Sequence, residues 1–150
     1  MGQKTIQPAL LSGRVKVPPS KSMAHRAIIC AALAEGRSIV ENVAFSDDIL
    51  ATMEGMRRLG ARIEDLGGGT LAVDGIGQGQ TISGLPEIDC KESGSTLRFL
   101  IPVALGLARG ARFTGQGNLG KRPLDVYTDI FDGQGVAYQA QGPLLDFRVS

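Results

Sequence analysis

Ala34-Glu35-Gly36 is answered by Ala108-Arg109-Gly110, Asp47 by Arg122, and Leu59-Gly60 by Gln134-Gly135. These landmarks recur about 74 residues apart, which points to two copies of one structural unit. Each copy reads as βαβαββ, too thin to bury both of its faces alone, so the two must share a core. In the first copy the expectation is strand 15–17, helix 22–34, strand 38–43, helix 47–59, and strands 61–65 and 70–73. In the second it is strand 87–90, helix 95–108, strand 111–114, helix 123–132, and strands 136–141 and 145–149. The chain divides accordingly into an N-terminal segment 1–13, a first unit 14–77, a linker 78–86 and a second unit 87–150. The fold class is α+β.

Helical spacing supports these assignments. Ile49, Met53, Met56 and Leu59 mark one face, and Leu97, Ile101, Ala104 and Ala108 another. Helices 22–34 and 95–108 are apolar nearly all round and are expected to be the buried pair. Ser46 before Asp47-Asp48 reads as an N-cap with an acidic first turn, Gly60 and Gly135 suit helix ends, and Gly67-Gly68-Gly69 suits a hairpin.

Charge excludes several classes. Sixteen basic against fifteen acidic residues leave +1, with no global field to draw nucleic acid or a membrane surface. No apolar run reaches the length of a membrane span and no signal-peptide core is present, so the expected location is cytoplasmic. Two cysteines and one histidine make no convincing zinc site. Cys30 and Cys90 are read as buried, reduced thiols, and His25 as a helix-surface residue. Arg57, Arg58 and Arg62 read as a solvated basic face.

Three junctions carry chemistry. Pro18-Pro19-Ser20-Lys21-Ser22-Met23-Ala24-His25-Arg26 sets two hydroxyls and two cations around the mouth of a helix. There the first N–H groups lack partners and the dipole favours an anion. Arg26 lies four residues beyond Ser22 and shares its face. An ordinary serine cap with solvated charges is the plainer alternative. Glu92-Ser93-Gly94-Ser95-Thr96-Leu97-Arg98 repeats this junction in the second copy. Gly115-Gln116-Gly117-Asn118-Leu119-Gly120-Lys121 imitates both a dinucleotide fingerprint and a P-loop. Pro123 would interrupt the helix the first requires, and Arg122 stands where the second needs Ser or Thr. The loop is better read as delivering Lys121 and Arg122 to the next helix, with Pro123 in its first turn.

Taken together and in this order, Ser20-Lys21-Ser22 with Arg26, Ser46-Asp47-Asp48, Glu92 to Arg98, and Lys121-Arg122-Pro123 resemble the 5-enolpyruvylshikimate-3-phosphate synthase family. The match runs from about Arg14 to the C-terminus. The resemblance implies an α/β prism of repeated βαβαββ units, of which this chain holds two of six, with segment 1–13 pairing with the absent second domain. It implies transfer of the enolpyruvyl group of phosphoenolpyruvate to the 5-hydroxyl of shikimate-3-phosphate, with release of phosphate, in the shikimate pathway to aromatic amino acids. By similarity Lys21 and Arg122 hold phosphoenolpyruvate as the catalytic pair, joined by the Gly94 backbone. Ser22 and Arg26 hold shikimate-3-phosphate, and Arg98 organises the helix behind. No metal or organic cofactor is implied, nor any nucleic acid or membrane partner. The expected partner is the remaining C-terminal part of the same enzyme, without which the chain would be inactive. Two positions depart from the usual pattern: many members carry Asn in place of Glu92 and Pro or Leu in place of Phe99. The related UDP-N-acetylglucosamine enolpyruvyl transferases usually carry a reactive cysteine at the place of Gly117 and lack the Ser-Lys-Ser…Arg pattern. A non-catalytic anion-binding remnant is the third reading.

Overall fold

Three serines start three helices. Ser20, Ser46 and Ser93 stand in extended backbone and accept hydrogen bonds from the N–H groups of Met23, Ile49 and Thr96. Each hydroxyl thereby satisfies an otherwise orphaned donor. They cap α1 (Lys21–Leu33), α2 (Asp47–Arg58) and α3 (Gly94–Ala108) in a computed structural model that describes residues 4–5, 7–10, 12–77, 79–80, 82–142 and 144–150.

The helices lie side by side and point the same way. Lys21 meets Asp48, and one turn further on His25 meets Thr52, so α1 and α2 are parallel and in step. Thr96 meets Thr52 and the Asp48 carbonyl, while Gly55 comes against Leu100, which sets α3 parallel to α2. At Gly55 the missing side chain lets the two helices close, because a Cβ there would run into the Leu100 side chain. All three N-termini therefore share one end of the molecule.

Two sheets flank the helices. The first has the order β1-β3-β2, from β1 (Arg37–Val40), β2 (Arg62–Gly67) and β3 (Thr70–Asp74), all antiparallel. The β2–β3 hairpin turns through Gly67, Gly68 and Gly69, all at positive φ. The second has the order β4-β5-β7-β6, from β4 (Glu87–Asp89), β5 (Ala111–Thr114), β6 (Tyr138–Ala140) and β7 (Asp146–Val149). Here β4 and β5 are parallel, joined through α3, and the other pairs antiparallel. The order β1-β3-β2 thus recurs as β5-β7-β6, with β4 added. Ile88, Phe113 and Phe147 stand in one row across β4, β5 and β7, each buried. On the solvent side of that sheet, Arg112 donates to both Asp146 oxygens at 2.9 and 2.8 Å and to Glu87 at 3.2 Å.

Ile28, Ala32, Ile49, Met53, Met56, Leu97, Leu100, Ile101 and Ala104 fill the space between the sheets. The expected α1/α3 interior is therefore shared with α2. A short turn of 3₁₀ helix (Leu119–Lys121) precedes α4 (Asp125–Gln134), the most superficial helix, with Phe131 its one buried side chain. Its C-terminal cap is Gly135 at φ 70°. Pro102 stands inside α3 and cannot donate to the Arg98 carbonyl four residues back. The Tyr127 hydroxyl of α4 donates to that carbonyl instead, at 2.8 Å.

Several expectations need correction. Segment 15–17 forms no strand: Val15 is 88% and Val17 74% exposed, since no strand of either sheet lies alongside to complete a ladder. Cys30 is exposed, on the outward side of α1, whereas Cys90 is buried and its thiol pushed up to about 12 by burial and by neighbouring Asp89. His25 is fully buried rather than on the helix surface. The last helix starts at Asp125 rather than at Pro123, because the Pro123 carbonyl accepts from Arg98 at 3.3 Å and the helical ladder begins with Leu124. Arg57 is not simply solvated, since it donates to the Ile63 carbonyl at 2.7 Å and so ties α2 to β2. The linker residues 78 and 81 lie outside the described residues.

Candidate anion-binding site

The common end of α1, α2 and α3 gathers the residues singled out from the sequence. Lys21 opens α1, and its ammonium pairs with Asp48 in the first turn of α2 at 2.6 Å. Its side chain stays 55% exposed, so the pair is weak as a stabilising contact but fixes where the cation sits. Ser22 is exposed beside it. Arg26 folds back to donate to the Ser22 carbonyl at 2.8 Å and spreads over the Phe99 ring of α3, 5.4 Å from its centroid. The aromatic ring at position 99 thus steadies a cation contributed by the first helix.

Gly94 is the first residue of α3 and is buried. The Arg122 guanidinium lies directly against its α-carbon, where any side chain would collide with it, and the Arg98 guanidinium lies beside. Two guanidinium groups therefore crowd the positive end of a helix. Among the described residues neither pairs with a carboxylate. Such an arrangement is electrostatically unfavourable until an anion joins it. Lys121 is exposed in the 3₁₀ turn. Glu92, the departure from the usual pattern, turns its carboxylate onto the α-carbon of Gly117, which holds φ 59°.

A broad cleft lies next to this site rather than in it. About 770 Å³ in volume, it runs between the outer face of α2 and the end of β4 and is lined by Asp47, Asp48, Glu54, Arg58, Lys91 and Glu92 among others. Carboxylates outnumber cations along it, so an anionic ligand is better served by the guanidinium end. Among the described residues no group of three His, Cys, Asp or Glu side chains could hold a metal, and no helix is long and apolar enough to cross a membrane.

One cluster was missed from the sequence. His25 Nδ1 lies 2.8 Å from Thr52 Oγ1, Thr52 Oγ1 lies 2.7 Å from Thr96 Oγ1, and Thr96 donates to Ser93 Oγ at 2.7 Å. The signal was the spacing: His25 follows Lys21, and Thr52 follows Asp48, by one helical turn. Burial pulls the His25 pKa below its usual value. Asp48 opposes this, while Lys21 and Arg26 add to it. A base depressed in the folded state is protonated first in the unfolded chain, so its contribution to stability is complete above about pH 6.5 and is lost as pH falls below it. His25 is the sole histidine, and ordinary carboxylates titrate lower. As pH falls below about 6.5 the denaturation free energy should therefore decline, with a slope set by the uptake of one proton in the unfolded chain. In His25→Asn that slope should vanish; urea titrations across this range check it.

The comparisons with known proteins bear on this site. The family model described as EPSP synthase (3-phosphoshikimate 1-carboxyvinyltransferase) matches residues 6–148. The chain belongs to the EPSP synthase family. A 3-phosphoshikimate 1-carboxyvinyltransferase of Clostridium beijerinckii is 53% identical over 99% of the chain, and one of Clostridioides difficile 49% identical over 100% of it. A solved EPSP synthase from Acinetobacter baumannii superposes with a TM-score of 0.75 at 26% identity, over 92% of this chain and 32% of that one. The chain spans 35% of the length of the Clostridium beijerinckii relative, about a third of an EPSP synthase. The fold class is that of these enzymes, in part.

Proposed function

We propose that the common helix end binds phosphoenolpyruvate beside shikimate-3-phosphate, and that the chain contributes this half-site to enolpyruvyl transfer in aromatic amino-acid synthesis. The observation that carries the reading is the pair of guanidinium groups of Arg122 and Arg98 at the buried Gly94, without a carboxylate partner among the described residues. Arg122 offers a planar fork for a phosphate or carboxylate, Lys21 a point charge held beside Asp48, and the Gly94 N–H the helix end. Ser22 and Arg26, on the adjoining turn of α1, face the second substrate. In the reaction the 5-hydroxyl gives up its proton and its oxygen bonds to C2 of phosphoenolpyruvate as C3 takes a proton. Phosphate then leaves from C2 and C3 gives the proton up, restoring the double bond. Cations on the departing phosphate stabilise charge that grows as the bond breaks. Proton transfer needs positioned acid–base groups, worth about 10²–10⁴-fold each, and none of the assigned residues supplies one. The remaining part of the enzyme is their proposed source and the chain's partner, in the cytoplasm, with no metal or organic cofactor.

The UDP-N-acetylglucosamine reading is disfavoured by Gly117, which stands where those enzymes usually carry a reactive cysteine and holds φ 59°, a backbone that favours glycine. Calorimetry with the 150-residue chain should show binding of shikimate-3-phosphate and phosphoenolpyruvate without phosphate release. Phosphate release should begin when the complementary part of a relative is added. If neither substrate binds, the enolpyruvyl reading fails.

A further inference from the structure

The buried chain His25–Thr52–Thr96–Ser93 links one side chain from α1, one from α2 and the first turn and cap of α3. Counting its protons gives it a direction. Thr96 has a single hydroxyl proton, and giving it to Ser93 Oγ at 2.7 Å or to the Asp48 carbonyl at 3.2 Å keeps a bond that giving it to Thr52 would lose. Thr52 must then donate to Thr96, and its oxygen is left to accept from His25. The imidazole is therefore the neutral tautomer with its proton on Nδ1. Nε2 keeps a bare lone pair, buried and without a partner among the described residues. A buried acceptor left unpaired is costly, so retaining an imidazole here calls for a reason beyond filling space.

That reason lies one turn above. Lys21 precedes His25 by one turn of α1, Asp48 precedes Thr52 by one turn of α2, and Ser93 caps the helix that begins at Gly94. We infer that His25 is a positioning residue for the anion site: through Thr52 and Thr96 its Nδ1–H fixes the first turn of α3, with Gly94 and the guanidinium of Arg122, relative to the turn of α1 that carries Lys21 and Ser22. Van der Waals packing alone would let parallel helices slide by fractions of an ångström, and a chain of short hydrogen bonds does not. The inference rests on the enolpyruvyl reading only for the identity of the anion.

Two variants separate positioning from bulk. His25→Asn keeps an N–H at the place of Nδ1, whereas His25→Phe keeps the ring and loses the donor. Thr52→Val cuts the chain one link further on and serves if His25→Phe does not fold. Each is checked for cooperative unfolding, then titrated with phosphoenolpyruvate, and its Gly94 and Ser95 amide resonances are recorded without ligand. The wild-type imidazole should show Nδ1 protonated and Nε2 bare in long-range ¹H–¹⁵N spectra. His25→Asn should bind within about threefold of wild type, and His25→Phe and Thr52→Val at least about tenfold more weakly, the equivalent of one buried hydrogen bond lost. Gly94 and Ser95 resonances should move in the latter two and stay in place in His25→Asn. An Nε2–H tautomer, or a folded His25→Phe with wild-type Gly94 resonances and affinity, overturns the inference. If wild type takes up no phosphoenolpyruvate, the enolpyruvyl reading fails on that result, while the Gly94 and Ser95 resonances still decide the role of His25.

Discussion

Arg122→Lys should lower phosphoenolpyruvate affinity by about 1.5–3 kcal/mol, the worth of a charged hydrogen bond, and Gly94→Ala should cost a comparable amount. The substitution at 122 keeps the charge and loses the planar fork. The substitution at 94 keeps Arg122 intact but sets a methyl group where its guanidinium lies, so the fork must move away from the helix end. Because both changes strike one contact, their effects should not add. The double variant should bind little worse than either single one, and a double-mutant cycle by calorimetry measures the shortfall. Stability should barely change in Arg122→Lys, since the residue is exposed and makes no carboxylate pair among the described residues. Lys121→Ala, one position earlier in the exposed turn, is the control and should do much less. Equal losses at 121 and 122, or full additivity between 94 and 122, would show that the anion is held elsewhere.

The largest effect on stability is expected at Phe113. It stands in the middle of the row Ile88–Phe113–Phe147 with no exposed surface, and its strand has neighbours on both sides. Phe113→Ala removes a ring that aromatic and aliphatic neighbours cannot collapse to replace, at a cost of about 3–5 kcal/mol. Folded domains are stable by only about 5–15 kcal/mol, so the variant should unfold at a much lower denaturant concentration. The slope of the transition should remain unchanged. A loss below about 1 kcal/mol would mean that the second sheet contributes little to the cooperative unit.

Much of this architecture was readable in the chain because its local signals agree. Serine caps, apolar helix faces and glycine turns located α1, α2, α3 and the β2–β3 hairpin to within a residue or two. What failed depended on partners far off in the chain. Strand 15–17 has the alternation of a strand, yet a strand exists only against a neighbour, and none lies beside it. His25 looked like a surface residue because its type is polar. Only the parallel arrangement of α1 and α2 brings Thr52 to its ring. The start of α4 shifted because Pro123 gives its carbonyl to Arg98, a contact between residues 25 apart that no local pattern announces. At the candidate site, residue types were legible in advance. The Lys21–Asp48 pair was not, since it is a property of the assembled helix ends, whereas the resemblance had already put Arg122 and the Gly94 backbone at one anion.

The proline in the middle of α3 has a reach beyond its own helix. By leaving the Arg98 carbonyl bare, Pro102 opens a socket that the hydroxyl of Tyr127 closes, and Tyr127 belongs to a helix with one buried side chain. A thinly rooted helix thereby gains a preferred seat, because sliding or rotating would leave a part-buried carbonyl without its donor. Arg122 sits three residues ahead of α4 and five ahead of Tyr127. The guanidinium proposed to hold the anion thus leads into a helix seated by a flaw in its neighbour.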